Sequence, residues 1–338
     1  MNRFANSLAC LLMAGPAASA QADENHTPQF TIQQNHEENR EEVLINGALF
    51  VGYNTADTPK PYLYPIIGPT GANMTRHFPM RQGVEGEKSD HLHHTSLWFA
   101  HGSLNGTDFW HIGRNNSGTI QTVTDVGSRQ AAPSASIGAS ALWLDPQRTP
   151  IADADTAYGF SVLADGSRVI DYKTRITPAD GVERVVFGDT KEGTMAIRVH
   201  PALRLKGDVA TGQCINSNGQ TNDDCWGKRA AWVAYWGEID GATCGIAVFD
   251  HPANLRHPSW WHARDYGLVA SNPFGVSDFE RRRPRGDGEY TLEAGQALEL
   301  SYRFVFFAGT AEEADIAGKY AAWVRETAKA AEETTDEQ

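Results

Sequence analysis

Apolar and polar residues alternate along most of the chain. In RVIDYKTRIT, Ile170, Tyr172, Thr174 and Ile176 fall on one face, and Asp171, Lys173 and Arg175 on the other. ALELSYRFVFF sets Leu298, Leu300, Tyr302, Phe304 and Phe306 against Glu299, Ser301 and Arg303. TMAIRV does the same with Met195, Ile197 and Val199. A period of two belongs to a strand with one face on a core and one in solvent. Similar runs occupy Phe30–Gln34, Val43–Tyr53, Thr119–Val126, Ala135–Leu144, Gly159–Ala164, Val182–Phe187, Ala231–Glu238 and Cys244–Asp250. Asn46–Gly47, Asp165–Gly166, Asp180–Gly181 and Asp240–Gly241 supply hairpin turns.

The strands follow one another without a βαβ rhythm, and no Gly-rich phosphate loop interrupts them. The pattern predicts an all-β fold, a large antiparallel β-sandwich over residues 21–309. KPYLYPIIGPTGANMTRHFP, rich in proline and glycine, reads as an irregular loop. Helix is expected only at 310–338. There Thr310 and Glu313 form a capping-box pair, and Ile316, Tyr320, Trp323 and Val324 form one apolar stripe. The last residues read as a frayed polar tail.

The N-terminus changes the expected compartment. MNRF carries a positive charge, LACLLMAG is a short apolar core, and small residues at Ala18 and Ala20 precede Gln21. This is the pattern of a secretory signal over residues 1–20, cleaved near Ala20, and it implies export to a periplasm or beyond. No apolar run is long enough to span a bilayer as a helix. A net charge of −13 argues against a nucleic-acid partner. In an oxidising compartment, the polar loop CINSNGQTNDDC is expected to be closed by a Cys214–Cys225 disulfide, with Cys244 a buried thiol.

Candidate chemistry gathers in two segments. SDHLHHTSLWFAHGSLNGTDFWH, Ser89 to His111, holds five of the twelve histidines with Asp90, Asp108, Trp98 and Trp110. If Asp90–His94 is extended, His91 and His93 share a face and could chelate a transition metal with His101 or His111. Alternatively, the imidazoles serve acid–base chemistry, oriented by Asp90 or Asp108. Some of them have only to hydrogen-bond backbone. The second segment, FDHPANLRHPSWWHARDYGLVASNPFG, carries His251, His257, His262, Arg264 and Trp260–Trp261 in a long loop.

The leading expectation is a carbohydrate or small polar substrate. His93 or His94 is the acid–base imidazole, with Glu192 or His262 as partner. Trp98, Trp110 and Trp261 stack on the ligand, and Arg76, Arg264, His101 and Asp108 bind its polar groups. No cofactor is expected on this view. The alternatives are a divalent transition metal held by His91, His93 and His101, and a non-catalytic glycan-binding protein. Arg76 and Glu192 also suit plain surface roles.

YLYPIIGPTGANMTRHFP, DHLHHTSLWFAHGSLNGTDFW, FGDTKEGTMAIRV and DHPANLRHPSWWHARDYGLVASNPFG, in this order, resemble the bacterial "PmoA family", often labelled methane oxygenase PmoA. The resemblance covers nearly all of the chain beyond the signal. It implies an exported protein with the supersandwich fold of galactose mutarotases, whose sites pair a histidine acid with a carboxylate base. It transfers no individual catalytic residue. The membrane subunit that gives the label its name spans a bilayer, which this chain lacks the helices to do, so methane oxidation is not expected.

Overall fold

The computed structural model describes residues 27–336; the expected signal, residues 1–20, lies outside the described residues. Two eight-stranded antiparallel sheets form a sandwich. The first runs in the order β1 (Phe30–Asn35), β2 (Arg40–Ile45), β3 (Ala48–Asn54), β4 (Tyr62–Ile66), β5 (Leu97–His101), β11 (Gly193–Arg198), β16 (Leu268–Asn272) and β15 (Trp260–Trp261). The second runs β12 (Gln213–Asn216), β13 (Trp232–Ile239), β14 (Ala242–Asp250), β18 (Leu298–Ala308), β9 (Arg168–Pro178), β8 (Pro150–Val162), β7 (Ser134–Leu144) and β6 (Thr119–Ala131). A small ladder pairs β10 (Arg184–Phe187) with β17 (Tyr290–Glu293).

The alternating residues do face the core. Ile170, Tyr172, Thr174 and Ile176 on β9 are buried, as are Leu298, Leu300, Tyr302, Phe304 and Phe306 on β18. Phe99 of β5 meets Trp143 and Tyr172 of the opposing sheet and marks the core side of β5. Trp98 therefore points away from the core, on the outer face of the first sheet. Arg198 joins it there, because Ala196 sits opposite Trp98 in the ladder and Arg198 follows two residues on.

Two expectations need correction. The proline-rich stretch contains β4. Its pairing with β3 slips by a residue around Tyr64–Pro65, so proline lies in a bulge where the ladder does not require its missing N–H. Asp90–His94 is not extended: His91 has φ +50° and the His94 N–H bonds the His91 carbonyl at 2.9 Å, closing a turn. Cys214 and Cys225 are buried thiols in contact with one another. Cys225 Sγ donates to the Gln220 carbonyl at 3.2 Å. Cys244 is a buried thiol.

The C-terminal helix starts later and ends later than its sequence signals. Thr310 and Glu313 form the reciprocal capping box, but in the turn before the helix: Thr310 N–H meets Glu313 Oε2 at 2.8 Å and Glu313 N–H meets Thr310 Oγ1 at 3.2 Å. Asp315 accepts from the Gly318 N–H at 3.1 Å, at the entry to the helix. A short helix, α1 (Val276–Phe279), precedes it in the chain, and the terminal helix, α2, covers Ile316–Asp336. Ile316 and Trp323, with Tyr320 and Val324 beside them, pack on Val169, Phe249, Val305 and Phe307, the outer face of the second sheet. Full burial of a side chain such as Trp323 is worth roughly 1.5–3 kcal/mol by transfer.

Candidate functional site

The outer face of the first sheet carries the chemistry, and three connections cover it. The first joins β4 to β5 and brings Arg76 and Asp90–His94. Its Thr75 and Arg76 run beside the end of β11, with the Arg76 N–H on the Arg198 carbonyl at 3.0 Å. The second follows β5 and brings Asp108, Trp110 and His111. The third is the hairpin between β15 and β16. Its turn closes with Gly267 N–H on the Arg264 carbonyl at 2.9 Å, and Gly267 takes φ +88°, a conformation that favours glycine. The turn presents Arg264 and Tyr266. With this cover, β5 and β11 are buried on both faces.

Four rings lie nearly parallel across these connections. Trp98 stacks with His94 (5.2 Å), His94 with His91 (4.7 Å), and His91 with Tyr266 (5.2 Å). His93 stands beside them, 4.5 Å from His94 and 4.5 Å from His111. Two imidazoles are held by carboxylates. His91 Nδ1 lies 3.1 Å from Asp90 Oδ1, and His111 Nδ1 lies 2.9 Å from Asp108 Oδ2. A carboxylate at Nδ1 fixes the proton there and leaves Nε2 as the reactive nitrogen. Asp108 also accepts from the amides of Trp110 and His111, which locks the second dyad.

Burial sets the charge of the inner imidazoles. His94 is held well below its ordinary value by burial and by the Arg198 charge beside it. Burial, with Lys60, His111 and His91 near it, pushes His93 down to about 2. Both are neutral near pH 7.

Three site residues were not singled out by sequence reasoning. Arg198 read as the solvent side of a half-buried strand, yet it is 2% exposed. Its guanidinium donates to His94 Nδ1 at 3.1 Å, lies 3.7 Å from Asp90 and sits 4.5 Å from the Tyr266 ring centre. Burial, reinforced by Arg76, pushes it down to about 9. Lys60 is 1% exposed beneath Trp98, its ammonium on the Trp110 carbonyl at 2.8 Å. Burial pushes it down to about 7 against the pull of Asp108. Tyr266 carried no signal beyond its place in a long loop.

The expected residues divide. Arg76 reaches the cluster, with Nη1 on Asp90 at 2.5 Å and Nη2 on the His91 carbonyl at 3.0 Å. Arg264 sits 5.1 Å from the Tyr266 ring centre. Trp98 and Trp110 are fully buried and form a floor below the imidazoles rather than open platforms. Trp261 is a core residue: its indole N–H bonds the Ala230 carbonyl at 2.8 Å. His101 faces the core side, bonded to the Gly188 carbonyl at 2.8 Å and packed on Phe187 and Phe274. The trio His91, His93 and His101 is therefore not assembled. Among the described residues, no three His, Cys, Asp or Glu side chains come together as metal ligands.

Glu192 is paired with Lys191, and no histidine among the described residues is hydrogen-bonded to it. Its neighbour Asp189 ties loops together, accepting the amides of Ser277 (3.0 Å), Gly286 (3.1 Å) and Gly288 (2.9 Å). His262 is buried against Phe279, and burial with Lys191 and Arg264 nearby pushes it down to about 3. His251 and His257 lie elsewhere, on Thr327 and Asp250.

Residues 40–321 match the model of a family of unknown function, DUF6807, and the chain belongs to that family. No curated protein matches the chain. Among solved structures, a glycoside hydrolase family 97 enzyme from Pseudoalteromonas sp. strain K8, in complex with panose, is similar at 10% identity and TM-score 0.33. That match covers 83% of this chain but only 35% of the hydrolase, so the chain spans about a third of its length. A GalM/aldose epimerase homologue from C. elegans is similar at 10% identity and TM-score 0.32, over 84% of this chain and 100% of the other. The Slr1438 protein of Synechocystis is similar at 8% identity and TM-score 0.36, over 86% and 100%. At these scores the likenesses carry no functional weight. Among the described residues no helix is long and apolar enough to cross a membrane.

Proposed function

We propose that this chain is a carbohydrate-active enzyme that works on a sugar or glycan by imidazole acid–base chemistry. The carrying observation is the pair of dyads, His91–Asp90 and His111–Asp108, on either side of His93. An imidazole oriented at Nδ1 by a carboxylate gives and takes protons at Nε2. Exposed His91 and half-buried Tyr266 add ring faces beside guanidinium donors. Ring faces with convergent polar groups suit a ligand with an apolar C–H face and a hydroxyl rim.

His93 and His94, expected as the acid–base imidazoles, take a supporting role. Both are neutral; half-buried His93 packs between the dyads and buried His94 between His91 and Trp98, so they set the floor's shape while the dyads move the proton. Export through a signal at residues 1–20, one β-sandwich domain at 21–309 and a Cys214–Cys225 bridge in the exported protein belong to the same proposal. The supporting observation for the bridge is the contact of the two thiols.

The test is a panel of glycans incubated with wild type, His91→Asn and His111→Asn, followed by NMR for epimerised, cleaved or eliminated product. Turnover by wild type that falls roughly 10²-fold or more in either variant is expected for loss of a general acid–base group. Glycan binding without turnover of any substrate would make the chain a binding protein instead.

A further inference from the structure

The charge around the ring stack is opposite to that of the whole chain. The sequence carries −13, yet four guanidiniums, Arg76, Arg198, Arg204 and Arg264, gather at this face. Arg76, Arg198 and Arg204 are buried and within electrostatic reach of one another. Arg264 is half-buried over Tyr266. Among the described residues, Arg204 and Arg264 have no carboxylate partner; Arg204 bonds the Pro201 and Gly86 carbonyls.

The carboxylates nearby are mostly engaged. Glu192 is paired with Lys191, and Asp265 shares Lys206 with Asp223. Glu87 accepts the amides of His77 and Phe78, both at 2.7 Å. Asp90 alone touches guanidiniums, with Oδ1 shared by Arg76, Arg198 and His91. Even with Glu87 counted, and with both Asp223 and Asp265 set against Lys206, one positive charge is left unmatched. The Nε atoms of Arg76 and Arg198 are buried and have no hydrogen-bond partner among the described residues. Buried cations are costly without counter-charge, and guanidinium forks match carboxylate and sulfate oxygens.

We propose that the substrate is an anionic sugar, whose carboxylate or sulfate ester takes the surplus guanidinium charge at Arg198 and Arg264. The proposal rests on the carbohydrate reading and narrows it. Asp90, 38% exposed at its side chain, is the internal carboxylate that bridges Arg76 and Arg198 and leaves Arg264 without a counter-charge. An anionic substrate adds a second carboxylate or sulfate to a cluster that has too few.

Calorimetric titration with an oligogalacturonate, a sulfated galactan oligosaccharide and a neutral galactan oligosaccharide tests this. At least one anionic probe is expected to bind roughly tenfold or more tighter than the neutral one, the scale of one charged hydrogen bond. Its affinity should fall as salt rises. Whichever of the two is preferred identifies carboxylate or sulfate as the group. Arg264→Gln, at a half-buried loop position, should lose most of that preference; Arg198→Gln should do so more completely where it folds. Equal binding of neutral and anionic probes, or an unchanged preference in Arg264→Gln, overturns the proposal and leaves the carbohydrate reading intact. Binding of none of the three overturns both.

Discussion

His94 Nδ1 accepts a hydrogen bond from the guanidinium of Arg198 at 3.1 Å, with both side chains buried. Because arginine only donates, Nδ1 of His94 must carry the lone pair and Nε2 the proton. Protonating His94 would set a second cation against Arg198. Replacing Arg198 with Gln removes that repulsion, and the midpoint of His94 should rise from its depressed position. An NMR titration of the His94 ring checks this; an unmoved midpoint would mean that burial alone holds it down.

Acid should unfold the protein early. His94, His101 and His262 are buried and neutral, with burial pushing His101 down to about 4 and His262 to about 3. Above about pH 6.5, the ordinary value, each is neutral whether folded or unfolded and adds no pH dependence. Below it the unfolded chain takes up protons that the folded chain refuses, so stability falls as pH drops from about 6.5 toward 4. The slope is roughly 1 kcal/mol per pH unit for each imidazole. Thermal melts at pH 7 and pH 5 should differ by many degrees, and equal melting points would contradict the buried neutral state.

Asp108 binds no ligand in this scheme; it positions His111. Asp108→Asn can no longer hold a proton at Nδ1 by charge, and turnover should fall roughly 10²-fold with the substrate's KM little changed. The pH–rate profile should shift as well, which a merely structural loss would not produce.

The strands with one polar face were legible because their alternation was intact: β9 and β18 bury the side chains the pattern assigns to the core. The site was harder to read. Arg198 continues a regular alternation, and nothing local shows that loops bury its solvent side. Lys60, before a proline, carries no periodic signal. The histidine cluster was visible, but its internal geometry depends on His91 adopting φ +50°, a turn rather than the strand that H-x-H suggests. Asp90 and Asp108 were identifiable as orienting carboxylates. Their partners among five imidazoles became clear only from distances.

Removal of the Trp323 side chain should loosen α2 without touching the site, since α2 packs on the second sheet and the rings lie on the first. Trp323→Ala is expected to cost about 3 kcal/mol or more. A lowered melting temperature with glycan affinity unchanged is the expected pair of results. Affinity lost together with stability would mean that the two outer faces are coupled.

Protein isolated from an oxidising compartment should show one free thiol after denaturation, that of Cys244, with Cys214 and Cys225 bridged. Three titratable thiols would show that the contact between the pair stays reduced.

In β5, neighbouring residues serve different masters: Phe99 meets the opposing sheet while Trp98 underlies the imidazoles. A scan of substitutions along Leu97–His101 will therefore find no tolerant position, and selection for a new substrate cannot be worked out there without unsettling the fold. The dyads and Tyr266 hang from connections instead. Arg264 and Tyr266, on the turn between β15 and β16, are the positions where selectivity can be altered while the two packed sheets are left intact.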